Sequence, residues 1–277
     1  QQFGTPNYAA HGGFCSVNMA AAGIYTIGGA FWEFGQPDWA YTKLFVLFGV
    51  AEDHDSNPIK IGIGKLKERG ARVVGVNPVR TGYNAVADEW FGITPGTDGL
   101  LILSLIHCLL AAGKIDLDYL ARWTNAPLLV NETEGPEKGL ILKNAESQPF
   151  VIDRRTGMPA PWDGAGVQPD LGAVWQGHRT VFQHMAERYL SEDYAPEAVA
   201  DRVGIEAGRI RALAAELARV AFDEAFELPI AWTDFRGDRH ETMPGRPVSF
   251  HAMRGISAHS NGFQTARALH LLQILLG

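Results

Sequence analysis

Two short apolar runs, each closed by a glycine or proline and separated by a stretch of helical spacing, limit this chain's possible folds more than any other feature. Lys43–Gly49 reads KLFVLFG. Its continuous apolar character suits a strand buried on both faces rather than one with a wetted side. After the loop VAEDHDSNP comes IKIGIGKLKERG, with Ile59, Ile63 and Leu66 at helical spacing and Gly70 as a stop signal. ARVVGVNP then repeats the β-branched apolar pattern and halts at Pro78. A polar turn, VRTGYNAVADEW, precedes FGITPGTD, which is expected to hold a short strand, and a strong helix from about Gly99 to Ala112 ends at Gly113. Strand, helix, strand, short strand and helix predict an α/β fold: a parallel sheet with flanking helices and right-handed crossovers.

From Asn131 to about Gly172 the period is lost in a stretch rich in Gly, Pro and charge, within which Phe150–Ile152 and the RRTG turn allow one hairpin. The plain reading is a surface excursion; a lid or a partner contact is the alternative. Helix returns at Thr180–Leu190, at PEAVADRVG behind Pro196, and along IEAGRIRALAAELARVAF. LPIAWT, from Leu228 to Thr233, reads as a strand, followed by a polar Gly/Arg/His region and a last helix from Phe263 to Leu276.

The chain's 277 residues carry 24 Lys+Arg against 31 Asp+Glu, a formal charge of -7, and no basic tract, which disfavours nucleic acid as a partner. Two cysteines, Cys15 and Cys108, do not make a disulfide scaffold. The chain begins with Gln1 in QQFGTPNYAAHGG and ends in the apolar ALHLLQILLG. Both ends read as mid-architecture, so a piece of something larger is expected.

In a parallel sheet the loops that leave the carboxyl ends of the strands face the ligand crevice. The first such loop holds Glu52, Asp53, His54, Asp55, Ser56 and Asn57, without the glycine fingerprint of a dinucleotide turn. These are either ordinary cap and solvation residues or acceptors for base and sugar donors. The second loop, Asn77-Pro78-Val79-Arg80-Thr81, offers a guanidinium fork for phosphate and an amide for a sugar or base edge. In the third, Pro95-Gly96-Thr97-Asp98, the acid either caps the helix or accepts two donors from a guanine-like ring. Together the three favour nucleotide binding.

Cys15 lies in HGGFCSVNMAAAG, where Gly12 and Gly13 allow close approach of a bulky group and make a helix joining His11 to Cys15 improbable. No metal-ligand spacing accompanies it, so a buried free thiol is the plain reading, and Cys108 reads as core. His251, Arg254, His259, Ser260, Asn261 and Gln264 cluster before the final helix and could line an anion site or form a satisfied loop.

The order of Cys15, the FG strand end, Ser56-Asn57-Pro58, Asn77-Pro78-Val79-Arg80-Thr81, Ala87-Asp88, PGTD, DLDYLARWTNAP and the closing ISAHSNGFQTARALHLLQILLG resembles the molybdopterin oxidoreductases. These are the bis-guanine-dinucleotide enzymes that include formate dehydrogenases, nitrate reductases and thiosulfate, polysulfide and tetrathionate reductases. The resemblance covers most of the chain apart from 131–172, and the wording around the first two loops is nearest to sulfite-oxidising and thiosulfate/polysulfide types. It implies a Rossmann-like sheet within a larger multidomain fold. It also implies a segment of the catalytic subunit, with 1–42 as the active-site cysteine segment, 43–130 as the guanine-dinucleotide region, 131–172 as the excursion and 173–277 as a mainly helical continuation.

The resemblance assigns Cys15 as molybdenum ligand and His11 as its neighbour near the substrate. It assigns Gly49, Asp55, Ser56, Asn57, Asn77, Arg80, Thr81, Gly96 and Asp98 to the bis-molybdopterin guanine dinucleotide cofactor. Two departures stand out: Gly49-Val50-Ala51-Glu52 replaces the usual Gly-x-Asn-Pro with one residue more before Ser56, and Asn77 replaces an acid, which weakens or rearranges contact with ribose. The implied reaction is oxygen-atom or two-electron transfer, expected on a sulfur oxyanion such as sulfite or thiosulfate. The implied setting is an iron-sulfur electron-transfer complex with a [4Fe-4S] cluster only in a missing N-terminal part, together with ferredoxin-like and membrane-anchor subunits. The protein is then expected to be cytoplasmic and peripherally membrane-associated through its partner subunits, with a periplasmic location as the alternative, and the 277 residues alone inactive. A non-catalytic scaffold that keeps the fold without molybdenum is the alternative. A nicotinamide dehydrogenase is disfavoured by the missing glycine-rich turn.

Overall fold

A computed structural model describes residues 4, 12–29, 37–50, 58–252 and 254–277, with the side chains of 12–15, 58 and 254 outside the description. Helix α1 (Gly12–Ile27) leads into strand β1 (Leu44–Phe48), helix α2 (Pro58–Glu68), strand β2 (Arg72–Val76), the single turn α3 (Tyr83–Val86), strand β3 (Glu89–Phe91), and helices α4 (Asp98–Ala111) and α5 (Leu117–Trp123). The excursion forms one hairpin, β4 (Phe150–Asp153) with β5 (Met158–Pro161), and a second, β6 (Val174–Trp175) with β7 (His178–Arg179), follows it. Then come α6 (Val181–Tyr189), α7 (Pro196–Val203), α8 (Ala207–Ala218), the short strands β8 (Phe226–Leu228), β9 (Trp232–Thr233), β10 (Arg239–His240) and β11 (Met243–Gly245), strand β12 (Val248–Ala252), the turn α9 (Arg254–Ser257) and α10 (Gly262–Leu276).

The core sheet is parallel, in the order β12-β1-β2-β3. β1 is central, with Leu44 opposite both Arg72 and Val248, and Phe48 opposite both Val76 and Ala252. Its alternating side chains serve two cores. Leu44, Val46 and Phe48 pack with α4, α7, α8 and α10, whereas Phe45 and Leu47 pack with Ile63 and Leu66 of α2. All five are completely buried, and each such side chain contributes about 1.5–3 kcal/mol relative to exposure. This double burial is why the sequence there is apolar without alternation.

Local signals place the flanking helices. Thr180 and Gln183 form a reciprocal capping box at the start of α6, satisfying two backbone donors that a helix start leaves orphaned. Pro196 opens α7, and Gly204, at φ +73°, ends it. The RRTG hairpin turn forms between β4 and β5, organised by the buried Asp153 carboxylate, which accepts from Arg155 N at 3.1 Å.

Three expectations change. Residues 228–233 are not one strand: Pro229 lacks the N–H that would carry a ladder onward, so Phe226–Leu228 pairs with β11 and Trp232–Thr233 with β10. The polar region after it contains β12, which fills the sheet edge beside β1. Ser249 and His251 disguised it. Both lie on one face of the strand, where Ser249 Oγ meets Thr42 Oγ1 at 2.7 Å and His251 stacks on Phe45. Finally, helix α1 begins at Gly12 despite the paired glycines, because the first helical positions tolerate residues that the interior disfavours. No helix among the described residues is long and apolar enough to cross a membrane.

Candidate cofactor-binding edge

The chain leaves the carboxyl ends of β1, β2, β3 and β12 along one edge of the sheet. After β1 it turns to α2 on one face; after β12 it turns to α9 and α10, and α10 covers the other face. Neighbouring strands whose connections diverge in this way open a crevice between them, the place where open α/β sheets bind ligands. Here that point lies between β1 and β12.

Backbone meets backbone at its floor. Gly49, at φ +64°, ends β1 in the left-handed region that disfavours a side chain. A Cβ on Gly49 would stand 3.0 Å from Ile256 Cγ2, and one on Gly255 only 2.4 Å from the Gly49 carbonyl oxygen. The two glycines let the strand end and α9 touch. Asp55, Ser56 and Asn57, with Glu52, Asp53 and His54, lie outside the described residues, as does His11. Cys15 sits in the first turn of α1, its side chain likewise outside.

The second loop is tightly self-bonded. The Asn77 side-chain amide donates to Val79 O at 2.8 Å, its backbone N–H donates to Phe91 O at 3.1 Å, and its carbonyl accepts from Trp90 Nε1 at 2.9 Å. Thr81 N donates to Val79 O at 3.0 Å. The buried Asn77 thus shapes the loop, while Arg80 and Thr81 stand exposed, Arg80 without a hydrogen bond or ion pair among the described residues. Asn84 had no distinguishing signal in the sequence. It is completely buried, donates from Nδ2 to Val50 O at 2.6 Å, and so ties the start of the first loop to the second. Gly75 makes room for it, since a Cβ there would stand 2.2 Å from Asn84 Oδ1.

The third loop joins the late polar cluster. Gly96 adopts φ +79°, Thr97 Oγ1 donates back to Thr94 O at 2.7 Å, and Asp98 opens α4 with only 6% of its surface exposed. Burial pushes the Asp98 carboxyl up from its ordinary value, against the opposing pull of its own backbone N–H and of His259. Asn261 Nδ2 donates to Gly96 O at 3.2 Å. The starts of α4 and α10 pack closely, because a Cβ on Gly99 would lie 2.8 Å from Thr265 Oγ1.

The late cluster therefore divides. His259 and Asn261 belong to the edge, whereas His251 lies in the sheet against Phe45, where burial pushes its imidazole pKa down. Gln264 accepts from Arg267. Cys108 packs against the core in α4, and burial pushes its thiol up. Among the described residues no group of three or more His, Cys, Asp or Glu is arranged to hold a metal ion. A cavity of about 1530 Å³ lies between the end of α1, α5, α6 and α10, lined by none of Gly49, Asn77, Arg80, Gly96 and Asp98.

No family model matches the chain. Over its whole length it is 49% identical to a sulfite dehydrogenase subunit from Allochromatium vinosum, of which it covers 30%. It is 25% identical to a tetrathionate reductase subunit from Salmonella typhimurium, over 99% of this chain and 28% of that one. Its fold is similar to acetylene hydratase from Pelobacter acetylenicus, with a TM-score of 0.58 at 17% identity, over 100% of this chain and 26% of that one. The chain thus spans less than a third of each. On that similarity, and on a parallel sheet matching the fold of the solved relative, the chain belongs to the molybdopterin oxidoreductase family.

Proposed function

We propose that these residues form the guanine-dinucleotide-binding core of the catalytic subunit of a molybdenum oxidoreductase, acting by oxygen-atom or two-electron transfer on a sulfur oxyanion such as sulfite or thiosulfate. The observation that carries the reading is the 49% identity to a sulfite dehydrogenase subunit over every part of the chain.

The residues at the edge suit a bis-molybdopterin guanine dinucleotide. A guanine presents paired N–H donors, and Asp98 is a buried carboxylate whose pKa burial raises against its own backbone N–H and His259; a neutral donor pair suits such an acceptor. Phosphates need a cation, and Arg80 is exposed and uncommitted beside that edge. The Gly49–Gly255 contact keeps side chains out of the crevice, as close approach of a large group requires. Asn77 holds the loop in which Arg80 and Thr81 reach the ligand, and Gly96 turns the chain into Asp98. We assign Asp55, Ser56 and Asn57 of the first loop to the same cofactor.

When bound, the molybdenum–dithiolene group supplies the redox chemistry. Cys15 of α1 would hold that metal as the protein's ligand, and we assign His11 a place near the substrate. Residues 1–42 supply this ligand, 43–130 and 173–277 the cofactor edge, and 131–172 an excursion outside it. The relatives are named as subunits, and we assign this one to a complex with ferredoxin-like and membrane-anchor subunits on the cytoplasmic side. A [4Fe-4S] cluster belongs to a preceding part of the polypeptide.

The test uses the full-length protein. Elemental analysis should return molybdenum, and denaturing release should return guanine nucleotide. X-ray absorption on the Cys15→Ala variant should lose one protein-derived sulfur from the metal's shell. A full-length protein with neither molybdenum nor guanine nucleotide is a scaffold, and an unchanged sulfur shell removes Cys15 from the site.

A further inference from the structure

Asparagine is an awkward residue inside a helix, since its amide competes for backbone partners. Asn18 nevertheless sits within α1, three residues after Cys15 and so on a neighbouring part of the same helix face. Its Nδ2 donates to the carbonyl oxygen of the completely buried Ser257 at 2.8 Å and reaches that of His259 at 3.5 Å. Ser257 ends α9, and His259 lies in the turn from α9 to α10.

That turn cannot easily yield. Gly262 N donates to His259 O at 3.0 Å, and a Cβ on Gly262 would stand 2.0 Å from Ser257 O. The same turn reaches the third loop through Asn261 and Gly96, and His259 lies near enough to Asp98 to oppose part of the rise that burial causes. One amide therefore links the turn carrying Cys15 to the turn that completes the dinucleotide edge. The far end of α1 has its own tie, Thr26 Oγ1 to His270 Nδ1 at 2.7 Å.

We propose that Asn18 is a positioning residue that sets the Cys15 turn relative to the 257–261 turn, and so sets the metal ligand against the bound dinucleotide. The inference rests on the reading of Cys15 and Asp98 above. Thr26 supplies a matched control, because it joins the same helix to α10 but at the end away from Cys15.

The experiment compares full-length wild type with Asn18→Ala, Asn18→Gln and Thr26→Val, each purified with cofactor. Guanine nucleotide content should stay at the wild-type level in all of them. In Asn18→Ala the molybdenum EPR signal should change, and kcat should fall about 10–100-fold, as for other outer partners of a metal ligand, with little change in KM. Asn18→Gln keeps an amide donor and should recover part of both, while Thr26→Val should keep the wild-type signal. If Asn18→Ala does not fold, Asn18→Met, which keeps the bulk without a donor, takes its place. An unchanged EPR signal in the donor-less variant overturns the positioning role, as does the same change in Thr26→Val. Wild type without molybdenum or guanine nucleotide overturns the reading of the site itself and this role with it.

Discussion

The side-chain amide of Asn261 donates to the carbonyl oxygen of Gly96 across 3.2 Å, joining residues 165 apart in the chain. The bond closes the carboxyl edge of the sheet by fastening the turn before α10 to the turn before α4. It brings the His259 imidazole near Asp98, and it makes one site of two sequence segments that look independent.

Asp98 should make the ligand-free protein sensitive to pH. Burial raises its carboxyl above the ordinary 3.8, so between that value and the raised one the folded chain keeps a proton that the unfolded chain has lost. This contribution is fully present below 3.8 and is lost as pH rises through the folded value. Asp98→Asn should remove that slope and stabilise the ligand-free protein near neutral pH by about 0.5–2 kcal/mol, while lowering its guanine nucleotide content. Urea unfolding across the acid range measures the first effect, and nucleotide release the second. An unchanged slope would count against the buried carboxyl.

Gly255→Ala should destabilise the fold by about 1–3 kcal/mol through overpacking, because the new methyl meets the Gly49 carbonyl, a backbone atom that cannot rotate away. Gly49→Ala should cost about 1–2 kcal/mol from the left-handed backbone, with a further term from Ile256. Denaturant midpoints check both, and a neutral Gly255→Ala would show that α9 stands off from the strand end.

His270 and His251 work in the opposite direction from Asp98. Burial holds both imidazoles below the ordinary 6.5, so the unfolded chain protonates first as pH falls. Their contribution is present above 6.5 and is lost as pH drops through the folded values. His270→Gln should flatten thermal stability between neutral and mildly acid pH, at the cost of the bond to Thr26. A variant as acid-sensitive as wild type would sink this assignment.

Arg80→Ala separates binding from folding. Arg80 is exposed and without a protein partner among the described residues, so the unfolding free energy should stay within about 0.5 kcal/mol of wild type. Nucleotide retention in the full-length protein should weaken by about 1.5–3 kcal/mol, the range for a hydrogen bond to a charged group, and the difference should shrink in high salt. Equal nucleotide content in both proteins at low salt would remove Arg80 from the phosphate contacts.

Much of this protein is written in local pattern. LFVLF at 44–48 has no wet face, so it specifies a strand covered on both sides. The spacing of Ile63 and Leu66, the Thr180–Gln183 box and Gly204 after α7 place helices and their ends through interactions within a few residues. The order of Cys15, the Arg80 loop and PGTD pointed to a family for the same reason: each piece is contiguous and keeps its order along the chain.

Local pattern did not determine which segments meet. β12 was hidden because Ser249 and His251 read as loop until Thr42 and Phe45, some 200 positions earlier, supply a hydroxyl and a ring. Asn84 and Asn18 are ordinary polar residues in sequence, and the distant carbonyls of Val50, Ser257 and His259 give their amides a purpose. Backbone dihedrals and hydrophobic period act between neighbours, so the sequence alone decides the elements and their buried faces. A hydrogen bond, or the close approach of Gly255 to Gly49, acts between segments far apart in the chain, and only the packed sheet brings those segments within reach.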